Sequence, residues 1–113
     1  MSLWGVESKD DCRREIDKLL AMVDRAEKRL QVNSITARPA VEELKSHLKD
    51  LYDKYNHTAE PQMSPVEHAW FWPAIQDAYV IAPNLSSPKT WAEGLEAVRT
   101  NLRYRRPPED THE

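Results

Sequence analysis

The chain has 113 residues, 40% of them apolar and 31% charged, a size that suits one compact domain with little burial to spare. Its 19 acidic and 16 basic residues leave a net charge of −3 and are mixed along the sequence, which argues against binding nucleic acid or an anionic membrane through bulk charge; any such binding would have to be local. Two glycines and no strand-length alternation disfavour an all-β fold, and a single cysteine, Cys12, excludes an internal disulfide.

The first segment with a clear period is SKDDCRREIDKLLAMVDRAEKRLQ. Ser8 with Asp11 makes a capping-box-like start, and Cys12, Ile16, Leu19, Val23, Ala26 and Leu30 step by four and three into one apolar seam. A helix to about Gln31 follows. The stretch VNSITAR then reads as a short link, and PAVEELKSHLKDLYDKY as a second amphipathic helix with Val41, Leu44, Leu48, Leu51 and Tyr55 on its seam, Tyr52 beside it and Pro39 in its first turn. So short a link predicts an antiparallel hairpin.

In the third segment Ser64 caps, Pro65 takes the first helical position and Glu67 completes a capping box. At about 100° per residue Val66, Ala69 and Trp70 share one face, whereas Phe71, Ile75, Ala78 and Tyr79 fall roughly opposite. One straight amphipathic helix cannot hold both stripes, so a break at Pro73 is expected, with Trp72 pushed out of the α region by the proline that follows it. Most rings of this segment are expected in the core, with Trp70 or Trp72 left partly open at the break. Pro83 closes the segment, Ser87-Pro88 opens the last helix, and that helix places Trp91, Leu95, Val98 and Leu102 on one face before Pro107-Pro108 ends it.

The fold class that follows is all-α: one domain over residues 1–113, a four-helix up-down bundle of two helical hairpins, or five helices if Pro73 breaks the third. Flexible ends are expected at about 1–6 and 107–113. No apolar stretch approaches the ~20 residues of a membrane span, and no signal-peptide pattern opens the chain, so a soluble, cytoplasmic protein is expected.

No residues stand in a recognisable catalytic or metal-binding pattern. Glu43/His47 and Asp53/His57 have i, i+4 spacing but lack further ligands, Cys12 lies on an apolar seam, and Glu67, His68 and Asp77 form the one polar set among aromatics. The expectation is therefore no enzyme, no catalytic residue, no metal and no cofactor. The densest charge is VRTNLRYRR, where Arg99, Arg103 and Arg106 share a helix face with Arg105 nearby. The expected function is an interaction domain that binds a protein partner or itself as a homodimer, through Trp70, Trp72, Tyr79, Arg99, Arg103 and Arg106. The alternative is nucleic-acid binding by the Arg face, and no membrane partner is expected.

Overall fold

The computed structural model describes residues 2–109. Four helices follow one another with no strand among the described residues: α1 (Lys9–Val32), α2 (Ser34–Asn56), a third helix that culminates in α3 (Trp72–Ile81), and α4 (Trp91–Arg105). α1 packs on α2 and α4, and α3 packs on the same two, which closes an up-down-up-down bundle. The expected seams face its axis. Cys12, Ile16, Leu19, Val23 and Ala26 of α1 meet Val41, Leu44 and Leu48 of α2, Phe71, Ile75 and Ala78 of the third helix, and Trp91, Leu95, Val98 and Leu102 of α4, all buried.

The Ser8 cap forms, its Oγ accepting the Asp11 N–H at 3.1 Å. The link does not take the expected form. Asn33 alone separates the first two helices, with φ −172° and ψ 165°. Its N–H donates to the Arg29 carbonyl at 3.1 Å while its side-chain oxygen accepts the Thr36 N–H at 2.7 Å, so one residue caps both helices. VNSITAR is therefore helical on both sides of Asn33, and Pro39 lies inside α2 rather than in its first turn. The lost hydrogen bond falls next to a hairpin tip where water reaches the backbone, and burial of Ala37, Ala40 and Val41 holds the helix together.

The break expected at Pro73 is absent. Phe71 (φ −79°, ψ −47°) and Trp72 (φ −60°, ψ −45°) are both α-helical, and the helix runs on through residues 65–81. What changes is the pitch. Over Glu67–Phe71 the chain makes a π-helical turn, closed by the Trp72 N–H on the Glu67 carbonyl. Proline's ring needs the space that an ordinary turn gives to a carbonyl four residues back, and the wider turn supplies it. Only one of the two stripes is buried, and Val66 and Trp70 of the other are half-buried. Glu67, Phe71, Ile75 and Ala78 become the inward line, and Ala69 is turned to solvent.

Glu67 is thus fully buried. As expected it closes a capping box: Ser64 N–H donates to Oε1 at 2.9 Å, and the Glu67 N–H donates to Ser64 Oγ at 3.1 Å. Its carboxylate also gathers the segment before α1. Leu3 N–H donates to Oε1 at 2.9 Å, and the N–H groups of Trp4 and Val6 donate to Oε2 at 2.8 and 3.0 Å. The Ser64 hydroxyl completes the tie by donating to the Val6 carbonyl at 2.5 Å. Residues 2–6 are in this way strapped across the start of the third helix. At the other end Pro107 is buried and Arg13 Nη1 donates to the Pro108 carbonyl at 2.7 Å; Met1 and residues 110–113 lie outside the described residues.

Replacing Glu67 by Gln preserves size but turns an amide NH2 towards two of the four backbone donors. Urea unfolding of Glu67→Gln is expected to show a loss of about 2–5 kcal/mol, the cost of orphaning buried donors around one residue. A loss below about 1 kcal/mol would mean that the strap is held by other contacts.

Candidate functional site

The half-buried side of the bundle between α2 and α3 is lined with aromatic rings. Tyr52 and Tyr55 stand in the last turns of α2, and Trp72 and Tyr79, two turns apart on α3, face them. Tyr52 stacks on Tyr79 with centroids 4.2 Å apart and planes 8° from parallel. Trp72 stacks on Tyr55 at 4.5 Å and meets Tyr52 at 5.4 Å. The strap adds Trp4, stacked on Trp72 at 5.6 Å, edge-on to buried Phe71 at 5.5 Å, and donating from Nε1 to the Leu51 carbonyl at 3.0 Å. A continuous ladder results, from the core at Phe71 to the surface at Tyr79.

Beyond Tyr79 the ladder opens into a groove of about 350 Å³, walled by Lys45, Ser46 and Lys49 of α2 and by Tyr79, Ala82 and Pro83. Lys45 pairs with Glu42 at 3.6 Å, and Lys49 donates to Asp53 at 2.6 Å, a hydrogen bond that raises the lysine pKa and keeps the ammonium charged. The site therefore offers flat, rigid, amphipathic rings with cations at the mouth of a groove. Such surfaces hold an extended or helical segment of another chain.

The expected site residues part company here. Trp72 and Tyr79 belong to the ladder. Trp70 does not: it lies half-buried one turn earlier, with Lys9 Nζ 5.5 Å from its ring centroid. The Arg face is engaged within the fold. Arg99 pairs with Asp24 at 2.8 Å and with Glu27, its side chain 14% exposed, and Arg106 grips both carboxylate oxygens of Asp17 at 2.8 and 3.0 Å. The spacing explains it, since Asp17 and Asp24 are seven residues apart on α1 and Arg99 and Arg106 seven apart across α4 and its cap, matching two turns of antiparallel helix. Arg105 pairs with Asp77 at 2.9 Å. Arg103 is exposed and makes no ion pair among the described residues.

Glu67, His68 and Asp77 are not brought together. Glu67 faces the strap, His68 is exposed, and Asp77, nine residues along at about 1.5 Å each, faces Arg105. Of the spaced acid–histidine pairs, Glu43 faces Arg25 at 3.3 Å and Asp53 faces Lys49, and no group of three or more His, Cys, Asp or Glu side chains converges among the described residues. The partners that sequence reasoning left out are Tyr52, Tyr55 and Trp4. The tyrosines carried a signal, three residues apart at the end of an amphipathic helix; Trp4 carried none, because only the Glu67 carboxylate brings it in. Comparison with protein-family models, with curated proteins and with solved structures finds no match, so geometry is the sole guide to function.

Two measurements check the electrostatics. Burial pushes the Cys12 thiol up to about 12, with Glu15 and Glu67 adding to the effect. At about pH 8 iodoacetamide is expected to label Cys12 at least ~100-fold more slowly in the native protein than in guanidinium chloride. The Arg106 hydrogen bond holds Asp17 below the usual carboxylate value of 3.8. A depressed folded pKa gives stability that is present above the unfolded value and lost as pH falls through the folded one. The stability gap between wild type and Asp17→Asn is accordingly expected at neutral pH and should close below 3.8, as read from urea unfolding across pH.

Proposed function

We propose that the chain is a non-catalytic helical interaction domain that holds a segment of a protein partner along the α2–α3 face. One observation carries this reading: the Trp72–Tyr55–Tyr52–Tyr79 ladder stays only half-buried although the bundle has its own core, with Phe71 and Trp91 fully buried in it, and it leads into an open groove. Aromatic rings left in this position give large contact area at little entropic cost, the property that enriches Trp and Tyr at interfaces.

The other readings have weaker support. Homodimerisation by the helical seams would need spare seam surface, and Ile16, Leu19, Val23, Val41, Leu44 and Leu48 are all consumed inside the bundle. Nucleic-acid binding by the Arg face would have to break the ion pairs of Arg99, Arg105 and Arg106 first.

Site-specific photo-crosslinking tests the proposal in the cells that make the protein. A photoreactive phenylalanine at position 79 is expected to trap one discrete protein, with the yield reduced at least ~10-fold by Trp72→Ala, while the same probe at position 103 traps none. Adducts that form only at position 103 and vanish with nuclease would instead favour nucleic acid.

A further inference from the structure

An up-down-up-down path places the first and third connections at the same end of the bundle: the turn at Asn33, and the two 3₁₀ turns Ala82–Leu85 and Pro88–Thr90. Arg38, whose guanidinium lies 5.3 Å from the Trp91 ring centroid, joins the two. Residues 28–41 and 82–92 contain Lys28, Arg29, Arg38 and Lys89 and not one carboxylate. Of the chain's 16 basic and 19 acidic residues these stretches take four and none, so this end carries +4 and the remainder −7. The nearest carboxylates are largely occupied, Glu27 by Arg99, Glu42 by Lys45 and Glu43 by Arg25, with Glu93 in the first turn of α4 beyond them.

The same end exposes aliphatic side chains. Residues 31–36 are all exposed, and within them Val32 is 72% and Ile35 83% accessible, two of the four large hydrophobic residues left in solvent among the described residues. Folding explains these features only in part. Lys28 and Arg29 suit the C-terminus of α1, but the first turn of α2 has no acidic residue, and Lys89 stands before the N-terminus of α4, where the helix dipole disfavours a cation.

We propose that this end of the bundle seats on a membrane surface rich in anionic phospholipid. Val32 and Ile35 enter the boundary between headgroups and acyl chains, and Lys28, Arg29, Arg38 and Lys89 lie against the lipid phosphates. A protruding turn with aliphatic tips suits a fluid surface, which needs no pocket shaped to receive it. Nucleic acid offers those tips no apolar medium. The whole-chain charge of −3 argued against a membrane, but its distribution reverses the argument. With a Debye length of about 8 Å in physiological salt, carboxylates at the far end of α1, a helix about 36 Å long, are screened from a surface touching the tip. This contact is separate from the α2–α3 groove, so either can fail without the other.

Co-sedimentation of the full chain with vesicles tests it. Vesicles of roughly three parts phosphatidylcholine to one part phosphatidylserine are expected to pellet the protein at about 0.1 M salt, at least ~10-fold more than phosphatidylcholine alone, and molar salt should release it. Val32→Asp with Ile35→Asp, and separately Lys28→Glu with Arg29→Glu, should each reduce pelleting at least ~10-fold with the helical circular-dichroism spectrum retained, since all four side chains are exposed. Protein left in the supernatant overturns the proposal, as does pelleting that ignores phosphatidylserine or either pair of substitutions. Wild-type binding by the Val32/Ile35 variant, competed by soluble polyglutamate, would mark a site for acidic protein and equally overturn it.

Discussion

A single carboxylate organises the molecule. Glu67 sits in the interior with no ion pair among the described residues, and four backbone N–H groups, from Leu3, Trp4, Val6 and Ser64, share its two oxygens. Charge-assisted bonds of this kind are about twice as strong as neutral ones, and a buried carboxylate needs several to offset desolvation. One donor comes from its own capping box. The other three come from a segment more than sixty residues earlier, so the cap of one helix becomes the anchor of the chain before α1.

Much of the site depends on that anchor. Trp4 reaches Trp72 and the Leu51 carbonyl because the residues on either side of it are tied to Glu67. The continuity of the third helix is the second requirement, since Glu67, Phe71, Ile75 and Ala78 step by four, four and three along it and so share one inward line. Pro73 does not break that line, because the wider turn before it makes room for its ring.

The two long sides of the bundle are closed by different forces. Between α1 and α4 the edge is electrostatic, with Arg99 and Arg106 matched to Asp24 and Asp17 across a two-turn repeat. Between α2 and α3 it is aromatic and incompletely covered. Ion pairs at an edge consume the groups that could have met a partner, whereas stacked rings leave their outer edges free. This contrast, rather than the amount of charge or aromatic surface, distinguishes a structural edge from a candidate docking face.

The sequence by itself determined the all-α class, the four segments, the seams and two of the caps, at Ser8 and at Ser64 with Glu67, whereas Ser87 opens a 3₁₀ turn and the last helix starts only at Trp91. These follow from periodicity and from hydrogen bonds within four residues, which are written locally. The tertiary structure decided what needed distant partners or a phase choice. It made Asn33 a cap for two helices, carried the third helix through Pro73 on a π turn, turned Glu67 inwards to receive residues 2–6, and engaged the Arg face with α1. The physical reason is plainest for the last two: each satisfies a group whose partner lies on another element, and a helix period read along one segment cannot say which neighbour will be there to satisfy it.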